Sequence, residues 1–186
     1  MANRFNTPQF RAAFISVFKA RAQKQQDGSM GEAKYTVRAA FPPTTDLSQM
    51  KSEAALAAKE KWGDKVPKNI RSPFRLNEEL DNPVAGLGDD WTIVTFSAKA
   101  DNKPGVVDAQ VNEIMDESEV YSGAWFRVQT RAYAYDQAGN KGVSFALDNI
   151  QKMKDDEAIG NSKPKATAAF EAVGTTSGKT ADDIFG

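Results

Sequence analysis

The sequence predicts a mainly β domain that is interrupted by one helix and followed by a C-terminal tail. Residues 34–41 alternate polar and apolar side chains with a period of two, which is typical of a half-buried strand. Residues 47–62 are rich in Ala, Glu and Lys and place their apolar side chains at helical spacing. From residue 160 onward Gly, Ser, Thr, Ala and Pro dominate, and such a composition buries too little apolar surface to fold.

The first predicted strands lie near the N-terminus. Residues 1–10 are interpreted as a flexible arm. Residues 11–21 are apolar and partly β-branched, which favours a strand. A polar turn that contains glycine leads to the strand at residues 34–41. Pro42 and Pro43 end this strand, because proline donates no backbone hydrogen bond.

The helix at residues 47–62 has recognisable signals at both ends. Asp46 is a suitable N-cap residue, and Gly63 can end the helix in a backbone conformation that other residues avoid. Residues 64–90 contain three prolines and two glycines, which predict an irregular connection. Residues 91–99, WTIVTFSAK, then predict the third strand.

The strongest β signal follows in the second half of the chain. Residues 106–107 begin or extend a short strand, and residues 120–135 read as one long β run. A turn at residues 136–140 connects this run to another at residues 142–147, as in a β-hairpin. Residues 147–153 are interpreted as a short helix or turn.

Several strands around one helix fit a small Greek-key β-barrel of the OB type, with the helix inserted between strands. An open α+β sheet accommodates the same elements. We predict that the folded domain spans residues 11–157 and that residues 158–186 form a flexible linker with an acidic end.

Two residue types that support much of enzyme chemistry are absent from the sequence. The chain has no histidine and no cysteine, which excludes disulfides, the common zinc sites, thiol nucleophiles and Ser-His-Asp triads. No apolar run approaches the roughly 20 residues that span a bilayer, and the N-terminus lacks the pattern of a secretory signal. We therefore expect a cytoplasmic protein that is not an enzyme and uses no cofactor.

Charge is distributed unevenly along the chain, although the net charge is only −1. Residues 1–75 hold 14 Lys and Arg against 6 Asp and Glu, whereas residues 76–186 hold 10 against 19. This asymmetry indicates either a surface for a polyanion together with an acidic segment, or two halves that mix evenly once they fold.

Residues 125–135 present two different faces if they form one strand. The even-numbered residues are apolar or small, as a barrel interior requires. The odd-numbered residues combine three aromatic rings, two arginines and an amide: Trp125, Arg127, Gln129, Arg131, Tyr133 and Tyr135. Aromatic rings stack on bases of any sequence, and arginine pairs with phosphate. This face therefore favours binding of single-stranded nucleic acid.

Further cations extend this predicted surface. Lys34 and Arg38 lie on the polar face of the second strand, and Lys141 lies at the end of the hairpin. The alternative is that residues 64–90 or the N-terminal arm pack over the aromatic face.

The C-terminus joins acidic residues to large apolar ones, in the order Asp182, Asp183, Ile184 and Phe185. On a flexible linker, this combination is typical of a peptide ligand for partner proteins. It could also compete with nucleic acid for a basic groove.

Acidic residues at 89–90 and 116–119 could hold a divalent metal ion and so support a nuclease. Solvated acidic loops are the commoner explanation, and we predict no metal site.

Two blocks of sequence resemble a family of bacteriophage proteins. The first block is YSGAW at residues 121–125. The second runs from YAYD at residues 133–136 through GNKGVSF at residues 139–145 to NIQ at residues 149–151. The family consists of single-stranded-DNA-binding proteins with an OB fold.

The resemblance implies sequence-independent binding and protection of single-stranded DNA in phage replication, recombination or repair, in the cytoplasm of the infected bacterium. It also implies that the tail recruits replication or recombination proteins. Comparable tails commonly end on Phe, whereas Gly186 follows Phe185 here. A protein-interaction or structural phage component that uses the aromatic face as an interface is the other interpretation, and both a monomer and a dimer fit the sequence.

Overall fold

Ten strands and one α-helix make up the described part of the chain, which comprises residues 3–160, 170, 172 and 173 in this computed structural model. In chain order they are β1 (Phe5–Asn6), β2 (Phe10–Arg21), β3 (Lys34–Phe41), α1 (Ser48–Trp62), β4 (Arg75–Leu76), β5 (Thr92–Lys99), β6 (Gly105–Val107), β7 (Trp125–Thr130), β8 (Ala132–Gln137), β9 (Asn140–Ala146) and β10 (Asn149–Lys154). Short 3-10 helices at Asn77–Glu79 and Glu117–Glu119 lie in the connections. The prediction of a mainly β domain with one inserted helix is confirmed.

The strands form one sheet that curls round on itself. Its hydrogen-bonded order is β6-β10-β7-β2-β3-β5-β9-β8. β7 and β8 lie far apart in this order, yet Arg131 alone separates them along the chain. The sheet therefore returns to its starting point and closes. The parallel pair of β5 and β9 lies among antiparallel neighbours and requires a crossover. The predicted Greek-key barrel of the OB type is confirmed.

An aromatic cluster fills the barrel interior. The ring of Phe10 lies 5.5 Å from that of Phe41, 6.0 Å from that of Phe96 and 6.5 Å from that of Phe126. All four side chains are fully buried. They come from β2, β3, β5 and β7, so one cluster joins four strands of the barrel.

The helix packs against β8 and β9 through the face that the sequence predicts. Its buried side chains are Met50, Ala54, Ala57 and Ala58. The N-cap position belongs to Leu47, without a side-chain cap hydrogen bond, and not to Asp46 as the sequence predicts. Asp46 Oδ1 instead accepts the backbone N–H of Ser48 at 2.9 Å from one residue further out, and Gly63 ends the helix with φ of 59°. Within the described residues, no helix is both long enough and apolar enough to cross a membrane.

The long run predicted at residues 120–135 is not one strand. It breaks at Arg131 into β7, which pairs with β10 and β2, and β8, which pairs with β9. The break has a physical reason, since β7 lies between β10 and β2 whereas β8 must reach β9 near the far end of the sheet order to close the barrel. The odd-numbered residues therefore have different neighbouring strands on the two sides of Arg131 and do not form one uniform face.

Two segments near the ends of the domain are more regular than the sequence predicts. Residues 5–6, within the predicted flexible arm, pair with β7, and the buried ring of Phe5 lies 6.4 Å from that of Phe145. Residues 149–154, interpreted as a short helix or turn, form β10 between β6 and β7 and bury Ile150. In both cases a distant strand supplies the pairing, and the segment's own composition does not reveal it.

The connection between α1 and β5 is attached to the barrel through Arg71. Its N–H donates to Lys141 O at 2.8 Å, and its carbonyl accepts from Val143 N–H at 3.2 Å. Gly142 lies between these contacts. A Cβ at this position would lie 2.9 Å from Arg71 O and 2.5 Å from the Tyr135 hydroxyl. Glycine is therefore required for this close approach.

Phe10→Ala is expected to lower the free energy of unfolding by about 3–5 kcal/mol, because it leaves a cavity at the centre of the aromatic cluster. Phe14→Ala is a matched control in the same strand, where the side chain is 38% exposed, and should cost less than about 1 kcal/mol. Urea unfolding of both variants measures the difference. Equal losses would contradict the central role of Phe10.

Gly142→Ala is expected to destabilise the protein by about 1–3 kcal/mol, because the new Cβ must displace a backbone carbonyl. It should also release the connection, so that the amide of Val143 exchanges hydrogen faster. Ser144→Ala, two residues along the same strand, is the control and should leave that exchange unchanged. Hydrogen exchange at Val143 that is the same in both variants would count against this attachment.

Candidate nucleic-acid interface

A long open groove runs across the outer surface of β3, β5, β9 and β8. It consists of three adjoining depressions of about 480, 810 and 1030 Å³. The smallest and the largest depressions share Lys34 and Ser97, and the middle and the largest share Tyr135 and Ser144. We call this surface the outer groove. It is longer and more open than a pocket for one small molecule, and this shape suits a polymer.

Strand register determines how the side chains of the outer groove are arranged. Small side chains from three neighbouring strands form its floor: Thr36, Thr95, Ser97, Ser144 and Ala146. Arg38 pairs with Thr95, and Tyr133 pairs with Ser144. Long side chains therefore stand beside a low floor, where a chain of nucleotides can lie against the sheet.

The lining of the outer groove is cationic. Three acidic side chains line it, namely Glu32, Glu79 and Asp101, against eight basic ones: Arg21, Lys24, Lys34, Arg38, Arg71, Arg75, Lys99 and Arg131. Six of the eight cations belong to residues 1–75, the basic part of the sequence. Part of the basic excess of residues 1–75 therefore lies on this one surface.

Five of the eight residues predicted to bind nucleic acid line the outer groove: Lys34, Arg38, Arg131, Tyr133 and Tyr135. Tyr133 is 41% exposed, so its ring is available for stacking. Tyr135 is half-buried, and its hydroxyl lies over Gly142. Arg131 Nη2 lies 3.8 Å from Asp148 Oδ1, at the break between β7 and β8.

Arg127 and Lys141 lie outside this groove. Arg127 Nε donates to Gln151 Oε1 at 2.7 Å, beside a separate pocket of about 280 Å³ between β7 and β10. Lys141 Nζ lies 3.6 Å from Asp136 Oδ2 across the hairpin. The structure does not bring these two side chains to the same surface as Tyr133, and their contact with nucleic acid stays a prediction.

Trp125 also lies outside the outer groove and is bound by the segment that follows β10. Its Nε1 donates to Asp156 Oδ2 at 2.7 Å, and Lys154 Nζ lies 4.8 Å from its ring centre. The hydrogen bond from Trp125 is the main cause that lowers the pKa of the Asp156 carboxyl, with help from the Glu157 backbone. The Trp91 ring lies 6.3 Å away. Trp125 is therefore half-buried and already paired.

Sequence reasoning missed Phe14 as a candidate. Its side chain is 38% exposed and its backbone pairs with Arg38, so an exposed ring lies beside a groove cation. The outward position of Phe14 does not follow from the sequence pattern, because register shifts at 12–14 and 16–21 interrupt the simple alternation of β2.

The remaining candidates from the sequence are the C-terminal peptide and the acidic residues considered for a metal ion. The peptide at Asp182, Asp183, Ile184 and Phe185 lies outside the described residues. Within the described part of the chain, no three acidic side chains converge on a possible metal site. Asp116 Oδ1 instead accepts the N–H of Ser118 at 2.9 Å at the start of a 3-10 helix.

Solved structures of phage proteins share this fold. The single-stranded DNA-binding protein from bacteriophage Enc34 has a TM-score of 0.64 at 17% identity, over 90% of each chain. Its complex with single-stranded DNA gives 0.64 at 19% identity, over 84% of this chain and 89% of that chain. The bacteriophage T7 single-stranded DNA binding protein gp2.5 gives 0.56 at 15% identity, over 96% and 100%. A comparison with curated protein sequences finds no match.

The family itself is shown by a sequence match over nearly the whole chain. The model of the family described as Enterobacter phage Enc34, ssDNA-binding protein, matches residues 4–185. This range includes the whole barrel and nearly all of the chain that follows it. The chain therefore belongs to the Enc34 single-stranded-DNA-binding protein family.

Proposed function

We propose that this protein binds and protects single-stranded DNA through the outer groove, with little dependence on base sequence. The observation that carries the proposal is the combination of eight cations with exposed aromatic rings above a floor of small side chains. Membership of the family supports the same ligand.

Electrostatic attraction to phosphate supplies the sequence-independent part of the binding. Lys34 and Arg38 lie two outward positions apart on β3, and Lys34 pairs with Lys99 of β5. A row of cations of this kind follows a sugar–phosphate backbone, and neutralised phosphates release their counterions to solution. Arg131 continues the row at the opposite wall.

Aromatic stacking supplies the contact with the bases. The ring of Tyr133 is exposed in the groove and that of Phe14 beside Arg38 at its edge, and every base offers a π-face. The floor between them offers short hydroxyl groups, and these make few of the bidentate contacts that distinguish one base from another. Tolerance of base sequence follows from this arrangement.

The biological role that fits this chemistry is to coat and protect DNA strands exposed during phage replication, recombination or repair, in the cytoplasm of the infected bacterium. This role requires no catalysis by the protein. Residues 182–185 stay a predicted contact for replication or recombination proteins.

Tyr133→Ala is expected to weaken binding of oligo-dT by roughly 5- to 150-fold, which corresponds to about 1–3 kcal/mol for one stacked base. Leu56→Ala is the control, because Leu56 is an exposed apolar residue of α1 outside the groove. Fluorescence anisotropy measures both affinities. Equal affinity of the two variants would remove Tyr133 from the interface, and wild-type protein without any binding at low salt would overturn the proposed function.

Arg38→Ala is expected to reduce the steepness of the salt dependence by about 0.7 in log Kd against log salt concentration, because one phosphate contact is lost. Lys59→Ala removes the same charge from the exposed surface of α1 and should leave the slope unchanged. A titration series between low and moderate NaCl concentrations gives both slopes. Equal slopes would exclude a phosphate contact by Arg38.

A further inference from the structure

A second aromatic and cationic surface lies at the start of β7, outside the outer groove. We call it the Trp125 surface. Its rings are Trp91, Tyr121 and Trp125, and its cations are Arg11, Lys152 and Lys154. Lys152 Nζ lies 5.4 Å from the ring centre of Tyr121, as Lys154 Nζ lies 4.8 Å from that of Trp125. Rings and cations are thus interleaved, as they are in the outer groove.

The acidic segment at residues 155–157 occupies this surface. Asp155 Oδ1 accepts from the Tyr121 hydroxyl at 2.8 Å and lies 2.7 Å from Lys152 Nζ. Asp156 Oδ2 accepts from Trp125 Nε1 at 2.7 Å. Two carboxylates are therefore held by a phenol, an indole and an ammonium group.

Arg11 anchors the same segment from β2. Its Nη2 donates to Glu157 O at 2.6 Å and lies 3.8 Å from Asp156 Oδ1. Beneath the segment, Gly123 has φ of 113°, and a Cβ there would overlap the carbonyl oxygen of Glu157. Ile159 N–H then donates to Ser122 O at 3.0 Å. The barrel surface is thus shaped to accept this piece of backbone.

The groups that hold these carboxylates would equally hold a phosphodiester flanked by bases. A phosphate needs cations and N–H or O–H donors, and the bases need aromatic faces; the Trp125 surface contains all of these. We infer that the Trp125 surface is a second contact site for single-stranded DNA and that residues 155–157 fill it until a strand displaces them. This inference rests on the proposed function of the outer groove.

One stretch of the chain joins the two sites, although its outward side chains do not form one uniform face. Trp125, Arg127 and Gln129 are the half-exposed residues of β7, and Arg131 and Tyr133 come next. At about 3.3 Å per residue, the eight residue steps from Trp125 to Tyr133 span at most about 26 Å. Both sites together remain within the roughly 4–16 nucleotides that one OB barrel binds. A short strand fills the outer groove alone, whereas a longer one reaches the Trp125 surface.

Because residues 155–157 compete with DNA for the Trp125 surface, their effect on DNA affinity depends on the length of the DNA strand. Residues 155–157 follow β10 directly, so their effective concentration at the Trp125 surface is high. A nucleotide gains access only when the remainder of its strand is already bound in the outer groove. Removal of the acidic side chains should therefore raise the affinity for long strands and leave the affinity for short strands nearly unchanged.

The test compares the full chain with Asp155→Ala/Asp156→Ala on dT oligonucleotides of 6 and 15 nucleotides, by anisotropy and tryptophan fluorescence. The variant should bind the 15-mer at least fivefold more tightly than wild type and the 6-mer with little change. Asp64→Asn/Glu113→Gln removes two exposed carboxylates elsewhere and controls for net charge. Trp125→Ala, added to the first variant, should abolish the gain on the 15-mer.

Two results would overturn the inference while leaving the proposed function intact. One is an equal gain in affinity for the 6-mer and the 15-mer that Asp64→Asn/Glu113→Gln also gives. That result would attribute the gain to net charge. The other is a lower melting temperature without any change in 15-mer affinity, which would make the segment purely structural. Asp155→Asn/Asp156→Asn keeps the hydrogen-bond acceptors and gives the same comparison if the alanine variant unfolds. Failure of wild type to bind the 6-mer at all would instead refute the outer groove.

Discussion

The barrel closes because β7 and β8 are neighbours along the chain, whereas in the sheet order β7 lies between β10 and β2 and β8 lies at the far end beside β9. Arg131 is the single residue between β7 and β8, and its carbonyl accepts the Ala146 N–H at 3.0 Å. Hydrogen bonding to β9 therefore begins at the break itself. Closure positions the buried rings around Phe10 and fixes which side chains face outward. It also divides one stretch of sequence between two surfaces, with Tyr133 in the outer groove and Trp125 at the second surface.

Local patterns were sufficient to predict the regular elements. β3 has the bounds that its alternation predicts, and α1 begins one residue later than expected and ends where Gly63 indicates. Elements that depend on a distant partner were beyond this reasoning. Phe5 and Ile150 are buried because β7 supplies their pairing, and nothing within either segment encodes that partner.

The candidate site was predicted only in part, because some of its side chains also depend on distant partners. Residue types and alternation were enough to select Lys34, Arg38 and Tyr133, since each belongs to a regular strand of the groove. Trp125 obeyed the same alternation, but its indole is paired with Asp156, 31 residues further along the chain. Phe14 escaped notice because β2 contains register shifts that disturb its period. Irregularities and long-range contacts, rather than composition, account for the difference between the predicted site and the candidate groove of the structure.

The basic side chains that line the outer groove are all lysine or arginine, and the chain contains no histidine or cysteine. Lysine and arginine keep their charge across the physiological pH range, whereas histidine would change its charge within that range. The groove also offers no thiol that an oxidant could modify. The attraction that this groove is proposed to exert on polyanions therefore depends on no histidine and no thiol, and dissolved ions are the variable of the surrounding solution that weakens it.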